Sequence, residues 1–221
     1  MKKGFVVAID GPAGSGKSTV ARMLAEELGY VYVDTGAMYR ALTFKTLRGG
    51  IDLNSKKALI ELARGTNVKL ESANGRSLRV LLDEEDVTER IREPEVTNNV
   101  AYLANIPEIR ELMVSLQRTL GEGRDIVIEG RDTTTVVFPN ADKKFYLDAS
   151  FEERLSRRHQ QLLSEGKGVV LDILGRDMNA RDKKDTGRRV GALRRAEDAI
   201  YIDTTKLTIV QVVKKITSYI K

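Results

Sequence analysis

The nine residues Gly11-Pro12-Ala13-Gly14-Ser15-Gly16-Lys17-Ser18-Thr19 satisfy the spacing G-x-x-x-x-G-K-[ST] at every fixed position. Glycines let the main chain turn with positive φ, so that successive N–H groups point inward and surround phosphate oxygens. A lysine at this spacing reaches the β- and γ-phosphates of a nucleoside triphosphate, and the hydroxyl of Ser18 is placed to ligate Mg²⁺. The flanks have the form that such a loop needs. Phe5-Val6-Val7-Ala8-Ile9 is a short apolar, β-branched run expected to form a buried strand. Val20, Met23, Leu24 and Leu28 then recur at helical spacing up to Gly29, where a C-terminal cap belongs. A helix starting at Lys17 adds its positive dipole end to the anion site. The expectation is a P-loop in which Gly11 through Thr19 bind ATP, rather than a glycine turn that merely joins strand to helix.

Two further strand ends carry groups suited to the same chemistry. Val31-Tyr32-Val33 ends at Asp34 and runs on through Thr35-Gly36-Ala37-Met38-Tyr39-Arg40; Ile126-Val127-Ile128 ends at Glu129-Gly130-Arg131-Asp132. In open α/β sheets ligands bind at the carboxyl ends of strands. Asp34 and Glu129 are candidates to hold Mg²⁺ through water, and equally to cap the helix that follows. Arg40 is a candidate phosphate ligand, against a solvated surface arginine; Arg131-Asp132 is a candidate binding pair, against a local ion pair. His159 stands alone in a charged helix and is expected to face solvent.

Composition narrows the setting. The 221 residues are 41% hydrophobic and 31% charged, a globular balance, with no cysteine for disulfides or thiolate metal sites. The apolar run after Met1-Lys2-Lys3 stops at Asp10, too short for a signal peptide, and no 18 apolar residues run together. The expected location is the cytoplasm, without a membrane partner. The net charge of +5 could suggest nucleic acid, but between Phe151 and Arg195 there are 12 Lys/Arg against 7 Asp/Glu, and the remainder balances at 25 against 25. A local, arginine-weighted stretch almost free of aromatics suits phosphate better than stacked bases. No nucleic-acid partner is expected, and the chain is expected to act as a monomer.

Strands alternating with helices predict an α/β fold with a parallel sheet flanked by helices. Helices are expected from Thr35 to about Leu47, over Lys56 to Ala63, after Pro94 and Pro107, from Ser150 to about Leu163, over Val169 to Arg181, and from Thr208 to Ile220. Strands are expected at Val31 to Asp34, Ile126 to Ile128, Lys143 to Leu147 and Ile200 to Ile202. Asn67 to Glu71 and Ser77 to Leu82 flank Asn74-Gly75, a hairpin signal foreign to a parallel βα run. Residues 64–93 therefore predict a small antiparallel β insertion, with a Glu84-Glu85-Asp86 turn before Val87-Thr88. The charged stretch Arg181 to Arg189 around Gly187 is expected to be mobile.

The P-loop, Asp34 to Arg40, Gly130-Arg131-Asp132 with Thr135-Val136-Val137-Phe138-Pro139, the run Arg181-Asp182-x-x-Asp185-x-x-Arg188, and Asp203-Thr204-Thr205 together resemble bacterial cytidylate kinase, a P-loop nucleoside monophosphate kinase. The likeness is collinear over essentially the whole chain. It implies a kinase core (1–35, 121–165 and 195–221), an acceptor-binding region (36–120) containing the β insertion, and a helical lid (166–194). It implies ATP- and Mg²⁺-dependent phosphorylation of CMP and dCMP. Arg40 and Arg131 would hold the acceptor phosphate, Arg110 and Asp132 the cytosine, Asp185 the sugar, with Thr35 also at the acceptor. Lys17, Arg131, Arg181 and Arg188 would act on the transferring phosphoryl group, and Arg188 would also touch the acceptor. Without the family, the 181–188 charges would be a solvated face and Arg110 an exposed arginine. Ala101 stands where the family commonly has serine, and Thr133-Thr134 where a glycine before Thr-Val-Val is usual, which leaves UMP, AMP or a non-nucleotide acceptor as alternatives. A non-catalytic, ATP-gated nucleic-acid module is the more distant one.

Overall fold

The computed structural model describes residues 4–73 and 77–220; the expected Asn74-Gly75 turn and Met1-Lys2-Lys3 lie outside them. β1 (Val6–Asp10) leads through the glycine loop into α1 (Lys17–Leu28), which stops at Gly29 with φ +70°. β2 (Val31–Asp34) runs directly into α2 (Thr35–Arg48), because Asp34 Oδ1 accepts the Ala37 N–H at 3.0 Å and caps the helix. α3 (Lys56–Arg64) precedes three short strands, β3 (Val68–Ala73), β4 (Ser77–Leu82) and β5 (Glu85–Asp86). α4 (Pro94–Ala104) and α5 (Pro107–Thr119) each begin with proline, whose missing N–H has no intrahelical partner to lose there. β6 (Ile126–Gly130) is followed by a π-helical turn, Thr133–Val137. β7 (Lys143–Asp148), α6 (Phe151–Ser164), α7 (Leu171–Thr186), β8 (Ile200–Asp203) and α8 (Ile209–Thr217) follow in order.

The five-stranded sheet has the order β2-β6-β1-β7-β8, and β7 pairs in parallel with β1 and with β8. β1 and β6 are buried at every position, which explains why their sequences are continuous apolar runs rather than alternating ones. The second sheet, β3-β4-β5, is antiparallel and forms the expected insertion. The architecture is α/β, as the alternation of elements predicts. No helix among the described residues is long and apolar enough to cross a membrane.

The chain divides into two compact units, residues 4–6 with Ala25–Ile128, and Val7–Leu24 with 129–220. In the first, one core holds Met38 and Leu42 of α2, Leu59 of α3, Leu103 of α4 and Ile109 of α5 together with Val68, Val80 and Leu82 of the small sheet. Thr43 and Thr46 are buried in α2 because their hydroxyls donate to the carbonyls of Tyr39 and Leu42 at 2.8 and 2.9 Å. In the second, Leu162 of α6 and Leu174 and Met178 of α7 form a separate cluster with Phe151 and Leu155. That cluster fixes α7, and with it the residues of its C-terminal half.

Three local expectations need correction. Glu84-Glu85-Asp86 is not a turn: Asp83 (φ +49°) and Glu84 (φ +70°) make the turn, and Glu85 and Asp86 pair with Leu82 and Leu81. Asp83 is secured there by accepting the Asn67 N–H at 2.9 Å and Lys45 Nζ at 2.6 Å. The charged stretch from Arg181 is the last part of α7 as far as Thr186, where Gly187 donates its N–H to the Lys183 carbonyl at 2.9 Å. α8 ends at Thr217 rather than Ile220.

Because the insertion shares the core of the surrounding helices, Leu82→Ala is expected to destabilise the fold by about 2–5 kcal/mol. Urea denaturation followed by circular dichroism measures this. A midpoint equal to that of the parent chain would detach the insertion from that core.

Candidate active site

The P-loop adopts the conformation its sequence demands. Gly14 (φ +80°) and Gly16 (φ +87°) occupy backbone regions closed to most side chains, and a Cβ at Gly14 would lie 2.8 Å from the carbonyl oxygen of Arg154. Lys17 Nζ folds back to donate to the Pro12 carbonyl at 3.1 Å. Ser18 Oγ donates to Glu129 Oε1 at 2.6 Å, bringing a hydroxyl at the start of α1 together with the carboxylate at the end of β6. This pair of hard oxygen groups fits Mg²⁺, which takes one or two protein oxygens and completes its octahedron with water and phosphate.

Around the loop the second unit gathers an excess of positive groups. Asp185 Oδ2 accepts from Arg131 Nε at 2.8 Å, and Oδ1 accepts from Arg188 at 2.5 Å. Burial pushes the Asp185 carboxyl up, but Arg131, Arg188 and Arg181 outweigh it and hold the group below its ordinary range. Burial likewise opposes the charge on Arg131, and Asp185, with Glu129 behind it, more than restores it. Lys17 has no such compensation. Burial, then the field of Arg131, with Arg181 adding, drives its amine down to about 7 against the opposing pull of Glu129 and Asp185. Lys17, Arg131, Arg181 and Arg188 thus share this region with the carboxylates of Glu129 and Asp185, a surplus that several phosphate oxygens would neutralise.

The first unit holds the other expected residues. Thr35 is buried at the start of α2. Arg40 is not a solvated surface arginine: its side chain is 15% exposed, it pairs with Asp34 Oδ2 at 2.8 Å, and its Nε is buried without a hydrogen-bond partner. Gly36 makes room for it, since a Cβ there would lie 2.9 Å from an Arg40 guanidinium nitrogen. Burial raises the Asp34 carboxyl, but Arg40, Arg92 and the Ala37 N–H together keep it below its usual range. Of the two readings of Asp34, the helix cap is the one observed. Arg110 is buried rather than exposed, donating to the Ala104 carbonyl at 3.3 Å with its guanidinium 5.7 Å from the centre of the Tyr39 ring. Ala101 is half-buried on α4. In the second unit, Asp132 is buried just before the π-helical turn, and His159 is half-buried on α6 rather than turned fully to solvent.

The family model for cytidylate kinase matches residues 7–221. The chain is 46% identical over 215 residues to the cytidylate kinase of Caldanaerobacter subterraneus subsp. tengcongensis, covering 97% of this chain and 94% of that protein. It is 47% identical to the cytidylate kinase of Geobacillus kaustophilus, covering 98% and 96% of the two chains. The chain belongs to the cytidylate kinase family. It is therefore an enzyme, a phosphotransferase. Among solved structures, an uncharacterized protein from Eubacterium ventriosum ATCC 27560 shares the fold, with TM-score 0.54 and 15% identity over 98% of each chain.

Several residues that brace the site of this cytidylate kinase family member carry no signal in sequence spacing. Arg154 donates to the Ala13 carbonyl at 3.1 Å and pairs with Asp182 at 2.7 Å, tying the P-loop to α7. Arg157 donates to the hydroxyl and carbonyl of Thr204 at 3.0 and 2.7 Å, and the Thr204 hydroxyl donates to the Ser15 carbonyl at 3.2 Å. Asp10 is wholly buried at the end of β1. Each acts on main-chain atoms or on a partner far away in sequence, which no periodicity reports.

The depressed Lys17 amine has a measurable consequence. Between about pH 7 and its ordinary 10.5 the unfolded chain binds a proton there that the folded chain does not, so this group's contribution to stability rises with pH across that window. Its unfavourable contribution is complete below about pH 7, where both states are protonated. An anion carrying several negative charges reverses the shift. Inorganic triphosphate binding at pH 8 is expected to take up protons, seen by calorimetry in two buffers of different ionisation enthalpy. Lys17→Met should abolish the uptake, and a parent enthalpy independent of buffer would contradict this account of the amine.

Proposed function

We propose that this chain transfers the γ-phosphoryl group of ATP to CMP, and to dCMP, giving ADP and the corresponding diphosphate. Family membership and the cationic surplus around the P-loop carry this reading. An oxygen of the acceptor phosphate attacks the γ-phosphorus as the bond to the ADP oxygen breaks, so no protein nucleophile is required. The enzyme's part is positioning and charge stabilisation. P-loop amides from Gly11 to Thr19 and the Lys17 amine would hold the β- and γ-phosphates, and Arg131, Arg181 and Arg188 would stabilise the equatorial oxygens. Ser18 and Glu129 would hold Mg²⁺, which would supply charge neutralisation across the β- and γ-phosphates. Asp34, the cap of α2 and the partner of Arg40, would keep acceptor capacity on its carboxylate to contribute through water.

Arg40 and Arg131 would receive the acceptor phosphate, with Thr35 beside it; the buried, unpartnered Nε of Arg40 supports this role. Arg110 and Asp132 would read the base, consistent with the burial of each within its own unit. Cytosine offers an N4 amino donor that a carboxylate accepts, whereas uracil presents an oxygen there. Leaving such a buried group unpaired costs about 1–3 kcal/mol, a preference for cytosine of roughly ten- to a hundredfold. Asp185, held by Arg131 and Arg188, would exchange part of that pairing for the sugar. Residues 36–120 would form the acceptor region and 166–194 the lid that excludes water.

The test is ADP release from Mg·ATP with CMP, dCMP, UMP, AMP or no acceptor. Turnover with CMP and dCMP, weak turnover with UMP and none with AMP is expected, and Asp132→Ala should erode the preference for CMP over UMP. Equal use of CMP and UMP by the parent would keep the kinase and sink the role given to Asp132. Absence of acceptor-dependent turnover would overturn the proposal.

A further inference from the structure

Asp10 closes β1 immediately before Gly11 and is fully buried. Its carboxylate is held by one dipeptide more than a hundred residues further along the chain. Oδ1 accepts the Thr133 N–H at 2.9 Å and the Thr133 hydroxyl at 2.7 Å. Oδ2 accepts the Thr134 N–H at 2.8 Å and the Thr134 hydroxyl at 2.6 Å. A carboxylate has about four acceptor sites, so this pair of threonines uses its full capacity. The contacts are charge-assisted and correspondingly strong.

Thr133 opens the π-helical turn, and the first N–H groups of any helical turn lack partners within it. Asp10 supplies that partner from another strand, acting as a cap donated across the sheet. Inside the turn the Asp132 carbonyl accepts from the N–H groups of Val136 and Val137 at 2.8 and 3.2 Å, and Phe138 N–H reaches the Thr133 carbonyl at 2.8 Å. Arg131 and Asp132 are therefore held on one side by β6 and on the other by the capped turn. Asp132 is left with φ −145° and ψ 23°, a conformation that neither strand nor helix would impose.

We propose that Asp10, Thr133 and Thr134 are positioning residues, which hold Arg131 and Asp132 in register with the P-loop that Asp10 itself precedes. The polar clamp, rather than packing, sets where the Asp132 carboxylate lies. This rests on the CMP kinase reading, which the parent enzyme's turnover with CMP tests independently.

Thr133→Val and Thr134→Val keep side-chain shape and remove one donor each. Binding of CMP and of ADP, measured separately by calorimetry, is read beside steady-state kinetics. Each valine variant is expected to weaken CMP binding and raise its KM roughly tenfold, the loss of one charge-assisted hydrogen bond. Binding of ADP, which lacks the γ-phosphate assigned to Arg131, should stay within about twofold of the parent, since its loop keeps its own contacts. Thr134→Ser, which restores the hydroxyl, should restore CMP binding. Equal weakening of both ligands, unchanged CMP binding, or a serine variant that behaves like valine would each overturn the proposal. Should the valine variants fail to fold, Thr134→Cys, a weaker donor, is expected to give an intermediate loss in CMP binding alone, and no loss there would equally refute it.

Discussion

Positive groups crowded out of water repel one another unless carboxylates are interleaved among them, and the second unit is arranged around that constraint. Asp185 is bound on one oxygen by Arg131 and on the other by Arg188, so one buried carboxylate fixes two guanidinium groups from different elements. Losing one partner of a buried pair of this kind typically costs about 3–5 kcal/mol, because the remaining charge is stranded. Glu129 receives the Ser18 hydroxyl and only partly offsets the burial of Lys17, whose amine donates instead to the Pro12 carbonyl. The ion pairs are therefore less a source of net stability than the means of keeping several cations together in a buried site.

The scaffold beneath this cluster works through main-chain carbonyls. Arg154 reaches Ala13, the Thr204 hydroxyl reaches Ser15, and Lys17 reaches Pro12. With these carbonyls engaged, the N–H groups of the loop are left for an anion, which is the property a phosphate site requires. α7 contributes Asp182 to Arg154 and Asp185 to Arg131, and its position follows from the apolar cluster of Leu162, Leu174 and Met178. In the first unit the same logic recurs on a smaller scale. Asp34 is at once helix cap and partner of Arg40, and the absence of a side chain at Gly36 leaves the guanidinium its place.

The insertion illustrates where composition misleads. Its surface carries paired charges such as Lys45 with Asp83 and Arg79 with Asp86, yet Val68, Val80 and Leu82 pack into the core of α2 to α5. Alternation along short strands buries one face while the other stays charged. The charged stretch from Arg181 carries the helix further than its charge suggests: Asp182 and Asp185 find arginine partners, and α7 continues to Thr186.

Local physical chemistry made much of this protein legible in its amino-acid sequence. The P-loop, its strand and helix, the prolines at the starts of α4 and α5, and the hairpin strands of the insertion all follow from interactions between near neighbours. So does the position of Glu129, Arg131 and Asp132 at a strand end, where an α/β sheet exposes its ligand-binding edge. Tertiary structure alone decided which groups meet. It made Asp34 a helix cap and the partner of Arg40, buried Arg110, gave Asp185 to two arginines, and closed the Asp10 carboxylate with Thr133 and Thr134. Spacing along a chain reports period and propensity, whereas a buried carboxylate is satisfied by whichever donors the fold brings to it, more than a hundred residues away in the case of Asp10.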